Sequence, residues 1–198
     1  RSSLMRSSAA SDVYKRQVTN DRNPNVFTQD VMKLMRKHQE CKFALIQLDV
    51  ERFKVINEMY GEDFGNDLLK YFENTLKYIC NEMQLYVRLT ADVFMIATPY
   101  ETKEDILGFV SMLEQRLSGY DNVKYTLAFG VCFVTDINTN LRLYGDGAAL
   151  ARQSIKGDAL HKVAFYQESM RADARKRKVL EDAMHQALSL IHISEPTR

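Results

Sequence analysis

Two kinds of hydrophobic pattern alternate along this chain. One is a helical spacing, in which apolar residues recur every third or fourth position. It predicts helices over residues 27–40, 51–61, 67–83, 103–119, 140–157 and 168–188. The other is the short apolar run that is typical of a buried strand. It predicts strands over residues 42–50, 84–89, 93–99, 123–135 and 163–166.

The order of these elements indicates the fold class. Helices alternate with strands, and a single hairpin over residues 84–99 interrupts the alternation. This order predicts an α+β fold with one central, mostly antiparallel sheet flanked by helices, of the ferredoxin-like or split-βαβ type. We expect one domain over residues 18–166 and a C-terminal connector helix over 167–188. Residues 1–17 and 189–198 break the patterns, and we expect them to be non-native or disordered tails.

Composition excludes several classes of function. With 27 Lys and Arg against 26 Asp and Glu, the net charge is +1, so we expect no nucleic-acid partner. No apolar run is long enough to span a bilayer, so we expect no membrane contact by this segment. The three cysteines and four histidines show no metal-type spacing. Unpaired cysteines favour a reducing cytoplasm.

The stretch LDVERFKVINEMYGEDFGNDLL, residues 48–69, contains the strongest chemical signals. Asp49 ends a predicted buried strand, where an acid is placed to bind a hard cation. The alternative is that Asp49 caps the helix starting near Glu51. Asp92 lies in the predicted hairpin bend, and its alternatives are a metal ligand or a solvated turn acid. Asn57 offers a donor and an acceptor to a base edge.

The same stretch resembles the first signature of the GGDEF, or diguanylate cyclase, family, D-x-D-x-F-K-x-I-N-D-x-x-G-H-x-x-G-D-x-x-L. The matching residues are Asp49, Phe53, Lys54, Ile56, Asn57, Gly61, Gly65 and Leu69. Upstream, VTNDRNPNVF (18–27) is similar to the family's opening motif L-T-G-L-P-N-R-R-x-F. RLTADVF (88–94) stands where the family has R-Y-G-G-D-E-F. The resemblance covers residues 18–166 and implies a nucleotidyl-cyclase-like GGDEF fold.

The resemblance implies a specific chemistry. Two such domains, each with one GTP, condense the nucleotides into cyclic di-GMP with Mg²⁺ ions at the protein acids. Carried over by motif, Asp49 and Asp92 would bind metal and Asp92 would be catalytic. Asn57, Asn66 and Phe53 would contact the guanine nucleotide.

Several positions depart from the family pattern. Thr90 and Ala91 replace the two glycines of the hairpin, and Val93 replaces its second acid. The guanine-reading Asp becomes Asn66. The phosphate-binding Lys and Arg fall on Gln153 and Gly157, so Lys156 or Arg152 would substitute only in a different helix register.

These departures predict a catalytically impaired domain that acts as a regulatory, GTP-sensing or dimerisation module in bacterial cyclic di-GMP signalling. Mg²⁺ is expected only together with a bound nucleotide. The expected partners are GTP, a second copy of the domain, and a covalently linked EAL phosphodiesterase or sensor domain, because residues 167–188 resemble a GGDEF–EAL linker. The alternatives are an active diguanylate cyclase with a relaxed motif and an unrelated ferredoxin-like binding fold.

Overall fold

The computed structural model describes residues 23–158 and 160–193, with side chains described as far as residue 184. The predicted tail over 1–17, the first residues of the predicted domain and the last five residues of the chain lie outside this range. Along the described chain the elements are α1 (Pro24–Lys37), β1 (Lys42–Val50), α2 (Phe53–Tyr60), α3 (Glu62–Ile79), β2 (Leu85–Arg88), β3 (Val93–Tyr100), α4 (Lys103–Leu117), β4 (Leu127–Val134), α5 (Leu141–Ser154), β5 (Val163–Phe165) and α6 (Glu168–Ile193).

The five strands form one sheet in the order β2-β3-β1-β4-β5. β1 runs antiparallel to both of its neighbours, β2 runs antiparallel to β3, and β4 and β5 are parallel. The predicted single, mostly antiparallel sheet flanked by helices is therefore confirmed. β1 is central because it is apolar almost throughout, and all its residues after Lys42 are buried.

The sheet separates two hydrophobic cores. On the α2–α4 face, helices α2, α3 and α4 pack over the larger core, which includes Leu48, Phe72, Phe94 and Phe129. On the opposite α1–α5 face, α1 and the start of α5 pack over a smaller core, which includes Leu141. Successive side chains of a strand point to opposite faces, so β1 contributes to both cores.

The largest differences between predicted and observed boundaries are found in α3, β4 and α6. Helix α3 begins at Glu62 and not at residue 67, with Glu62 and Asp63 placed favourably in its first turn. Strand β4 begins at Leu127 and not at 123, and residues 123–126, which follow a turn with positive φ at Asp121 and Asn122, belong to no regular element. Helix α6 continues to Ile193, beyond the predicted end at 188.

No helix in the described part of the chain combines the length and hydropathy needed to cross a membrane.

Candidate functional site

The end of β1 and the β2–β3 turn form the candidate site. Asp49 is the penultimate residue of β1, and Val50 N–H donates to the carbonyl of Asp92 at 3.4 Å. The two segments that carry the predicted metal acids are therefore neighbours. The structure places Asp49 on the sheet and Asp92 in the turn, where Asp92 is partly exposed.

The residue directly opposite Asp49 on β3 is Val93. Paired residues of neighbouring antiparallel strands point to the same face of the sheet, so the side chain beside the Asp49 carboxylate is an isopropyl group. Val93 stands where the family pattern has its second acid. The position best placed to share a cation with Asp49 is therefore apolar.

The Asp49 carboxylate is engaged by a guanidinium. Arg152 Nη1 on α5 forms a buried ion pair with Asp49 Oδ2, and Arg152 Nε donates to Gln47 Oε1 at 2.7 Å. The side chains of Arg152 and Asp49 are only 12% and 10% exposed. Burial lowers the pKa of Arg152 from its ordinary value. Charge-assisted hydrogen bonds of this kind are stronger than neutral ones.

Asp49 is not a helix cap. The cap position of α2 is Arg52, which has a φ of 55° and makes no side-chain capping bond. The alternative of Asp49 as the cap of the following helix is therefore wrong, because the carboxylate points to α5 instead.

A glycine on β4 allows Arg152 to reach the sheet. Gly130 pairs with Gln47, and α5 crosses directly above it. A Cβ at Gly130 would lie 2.0 Å from the Ala148 carbonyl oxygen and 2.4 Å from Arg152 N. The close approach of helix and strand brings the guanidinium over Gln47 and Asp49.

The segment after α5 contacts the segment that follows β1. Gly157 N–H donates to Glu51 Oε1 at 3.0 Å, and Gly157 has a φ of 83°, which glycine adopts readily. Gly157 stands at the family's phosphate-binding Arg. Lys156, predicted as a substitute for that cation, is exposed and forms no ion pair within the described part of the chain.

The β2–β3 turn does not need glycine for its backbone conformation. Thr90, Ala91 and Asp92 are not among the residues with positive φ. The turn is held by Arg88, whose Nε donates to the carbonyls of Thr90 and Ala91 at 3.3 and 2.9 Å. Arg88 also pairs with Glu73 on α3 at 3.2 Å. The β-branched Thr90 is therefore compatible with the backbone of this turn.

The predicted guanine-contacting residues lie on α2 and α3. Phe53 is buried and Asn66 is exposed. Asn57 Oδ1 is buried and has no hydrogen-bond partner within the described residues. It lies over Gly65, where a Cβ would be 1.9 Å from that oxygen. The missing side chain at Gly65 therefore leaves room for the Asn57 amide. Asn66 is the next residue on α3.

Few oxygen ligands for a cation lie at this site. Mg²⁺ takes near-octahedral oxygen coordination and is usually bound by one or two carboxylates together with waters and substrate phosphates. Within the described residues, no group of three or more His, Cys, Asp or Glu side chains could hold a metal ion. Asp49 is already paired with Arg152, and Val93 supplies no oxygen.

Sequence reasoning named Arg152 only as a conditional substitute for the phosphate-binding cation. Two features of the sequence pointed to Arg152. It lies next to the position of the family's phosphate-binding Lys, and Gly130 is a glycine within a predicted strand. These features did not reveal that Arg152 binds Asp49, because the pairing joins residues 103 positions apart.

Comparison with known proteins shows a consistent family relationship. The profile of the family described as "Diguanylate cyclase, GGDEF domain" matches residues 17–153. Among curated proteins, the chain is 23% identical over 174 residues to the uncharacterised protein sll1895 of Synechocystis, covering 84% of this chain and 25% of that protein. It is 25% identical over 118 residues to diguanylate cyclase VdcA of Vibrio cholerae, covering 55% of this chain and 34% of that protein. The chain thus spans about a quarter to a third of these relatives.

Solved structures show the same fold at low identity. The GGDEF domain of DgcB from Caulobacter crescentus, solved in complex with c-di-GMP, has a TM-score of 0.63 and 16% identity, covering 75% of this chain and 92% of that chain. The active GGEEF domain of a diguanylate cyclase from Vibrio cholerae has a TM-score of 0.64 and 16% identity, covering 74% and 97%.

Proposed function

The chain belongs to the GGDEF family, and from this premise we propose that it is a catalytically impaired GGDEF domain. Its role is that of a regulatory module in bacterial cyclic di-GMP signalling, acting through GTP sensing or dimerisation. The runner-up is an active diguanylate cyclase that works with a relaxed motif.

One observation gives the strongest support for impaired catalysis. The Asp49 carboxylate is bound by the Arg152 guanidinium, and the neighbouring position on β3 is Val93. A metal ion at Asp49 would have to displace a buried, charge-assisted contact, and the paired position Val93 supplies no carboxylate. Metal-assisted phosphoryl transfer depends on such carboxylates to hold the ions in place.

The guanine side of the site supports retained nucleotide sensing. Asn57 Oδ1 is an acceptor without a partner in the described chain, and the N–H edge of guanine supplies donors. Asn66 is exposed one residue after Gly65. We propose that Asn57, Asn66 and Phe53 contact the base of a weakly bound GTP, with Lys156 near its phosphates. Mg²⁺ would enter with the triphosphate, whose oxygens supply the ligands that the protein lacks.

Helix α6 supports a role for a neighbouring domain. Val179, Leu180 and Met184 are exposed apolar residues on this helix. We propose that α6 connects the domain to a covalently linked EAL or sensor domain and that binding at the site shifts the balance between two arrangements of that neighbour. A cytoplasmic location accords with Cys41, Cys80 and Cys132, which are all free thiols.

Product analysis tests the loss of catalysis. The purified chain is incubated with GTP and Mg²⁺, and cyclic di-GMP is measured by chromatography. We expect no product above a reaction without protein. Product that disappears in Asp92→Asn, with the variant still folded, would instead establish the active cyclase.

Calorimetric titration tests GTP sensing separately. We expect weak binding of GTP with Mg²⁺ in the wild-type chain, weakened further by Asn66→Ala. The matched control is Asn74→Ala, a second exposed asparagine that lies about two helical turns after Asn66 on α3. Equal binding by both variants would remove the proposed guanine contact, and no heat at millimolar GTP would leave dimerisation as the remaining role.

A further inference from the structure

A cavity of about 690 Å³ lies on the α1–α5 face, apart from the predicted guanine-contacting residues. It opens between the N-terminal turns of α1 and α5 and the end of the β2–β3 hairpin. Small-molecule sites in proteins have volumes of roughly 300–1,000 Å³, so the cavity has the size of a ligand site. Neither the predicted metal acids nor Asn57, Asn66 and Phe53 line it.

The floor of the cavity is apolar. It is formed by buried side chains from four different elements, which are Phe27, Leu45, Met95 and Leu141. Gly145 and Ala149 on α5 keep this side open because they carry little or no side chain, and a Cβ at Gly145 would lie 3.3 Å from Met95 Cε. Aromatic and thioether side chains favour contact with a flat aromatic molecule.

One polar side chain reaches the cavity from the sheet. Gln47 lines the cavity and is only 6% exposed. Its Oε1 accepts from Arg152 Nε, while its Nε2 donates no hydrogen bond to any residue in the described chain. An amide donor that lines a cavity and has no partner among the described residues favours a ligand that presents an acceptor.

The charged residues that line the rim give an anion no net attraction. Arg142 and Asp146 lie one turn apart on α5, are both exposed, and have opposite charges. The helix N-termini at the rim are already capped, since Asn23 Oδ1 accepts from Asn25 N at 2.9 Å and Asn140 Oδ1 accepts from Arg142 N at 3.0 Å. Capped amides offer little to a phosphate or carboxylate.

We propose that this cavity binds a small, uncharged aromatic heterocycle whose ring nitrogen or carbonyl oxygen accepts a hydrogen bond from Gln47 Nε2. The ring would pack on Phe27, Met95 and Leu141, and any polar substituent would point to the rim. Because Gln47 also holds Arg152, a ligand at the cavity contacts the same side chain that orders the Asp49 ion pair.

Methyl NMR of the 198-residue chain with ¹³C-methyl methionine tests the site. The probe is quinazolin-4-one, which presents a carbonyl and a ring nitrogen, and naphthalene is the matched compound without an acceptor. We expect quinazolin-4-one to shift the Met95 methyl signal saturably and to leave Met59 unchanged, since Met59 is 68% exposed on α2. Naphthalene should bind roughly tenfold more weakly, the value of about one hydrogen bond.

Two variants make the test decisive. Ala149→Phe should fill the cavity and abolish the Met95 shift, whereas Leu143→Phe on the exposed side of α5 should preserve it. Gln47→Leu should reduce the affinity for quinazolin-4-one to that for naphthalene. An unmoved Met95 signal in the wild-type chain, an unchanged affinity in Ala149→Phe, or equal binding of the two compounds would overturn the proposal.

Discussion

On the α2–α4 face of the sheet, the inward side chains of β1 are apolar along its whole length: Ala44, Ile46, Leu48 and Val50. On the α1–α5 face, the inward series begins with Phe43 and Leu45 but ends in Gln47 and Asp49. One strand thus completes an apolar core on one side and a buried polar network on the other.

The apolar face of β1 contributes to stability, whereas the polar end of its other face contributes groups to the candidate site. Burial of apolar area stabilises the fold on the α2–α4 face without requiring specific partners. The network on the α1–α5 face is different, because a buried charge is tolerated only when it is paired. Arg152 is that partner, so the Asp49 carboxylate can be buried in this region.

The largest effect is expected on the apolar face. Phe72 is fully buried and contacts Phe94 and Tyr125 with ring centroids 6.0 and 5.9 Å apart. Phe72→Ala should lower the free energy of unfolding by about 4 kcal/mol, through lost transfer energy and a cavity. Urea denaturation measures this. The control Tyr78→Ala, also on α3 but 86% exposed, should change it by less than about 0.5 kcal/mol. Similar losses in the two variants would contradict the assignment of the core.

Breaking the Asp49–Arg152 ion pair should lower the free energy of unfolding somewhat less than Phe72→Ala does. Arg152→Met leaves the Asp49 carboxylate buried without its partner and should lower the free energy of unfolding by about 3 kcal/mol. Replacing both members, in Asp49→Leu with Arg152→Met, should recover most of that loss, because no buried charge remains. A double variant as unstable as the single one would show that the ion pair itself is not what holds this region.

A substitution at the helix crossing should have a smaller effect. A methyl group at Gly130 would meet the backbone of α5, so Gly130→Ala should force the helix outwards at a cost of about 2 kcal/mol. Gly108→Ala is the control, because nothing lies within 4 Å of a Cβ there. Thermal unfolding compares the two. An unchanged Gly130→Ala would mean that the close approach is not needed.

The smallest effect concerns acid stability on the α2–α4 face. The hydrogen bond from Thr102 N–H, at 2.7 Å, and that from Glu101 N–H lower the pKa of Asp105 from 3.8. Its folded pKa is below the unfolded one, so its stabilisation is present above pH 3.8 and is lost as the pH falls through the folded pKa. The melting temperature of the wild type should therefore exceed that of Asp105→Asn near neutral pH, and the gap should close in acid. A gap that is independent of pH would contradict this.

The fold could be predicted well from the sequence because short stretches of the chain identify its strands and helices. The apolar run of β1 and the periodic stripe with Leu68, Phe72 and Leu76 identify a central strand and a packed helix without knowledge of the rest. The family resemblance also brought Asp49 and the hairpin together. Boundaries such as the start of α3 failed because a charged first turn gives little hydrophobic signal.

The site was less predictable because its decisive contact is not local. The spacing of motifs located Asp49 and Val93, but it does not show which helix packs over Asp49. The short distance between α5 and β4, which Gly130 permits, brings Arg152 to Asp49. The turn at Thr90 and Ala91 likewise depends on a contact that motif spacing does not show, since Arg88 stabilises it with a backbone conformation that needs no glycine.

Binding of Mn²⁺, a paramagnetic substitute for Mg²⁺, tests most directly whether Arg152 has replaced the metal at Asp49. Electron paramagnetic resonance compares the free Mn²⁺ signal with and without the wild-type chain, in the absence of nucleotide, and then with Asp49→Asn. We predict that the wild-type chain and Asp49→Asn leave the same amount of Mn²⁺ free. Tight binding of Mn²⁺ by the wild-type chain that is lost in a folded Asp49→Asn variant would contradict the account.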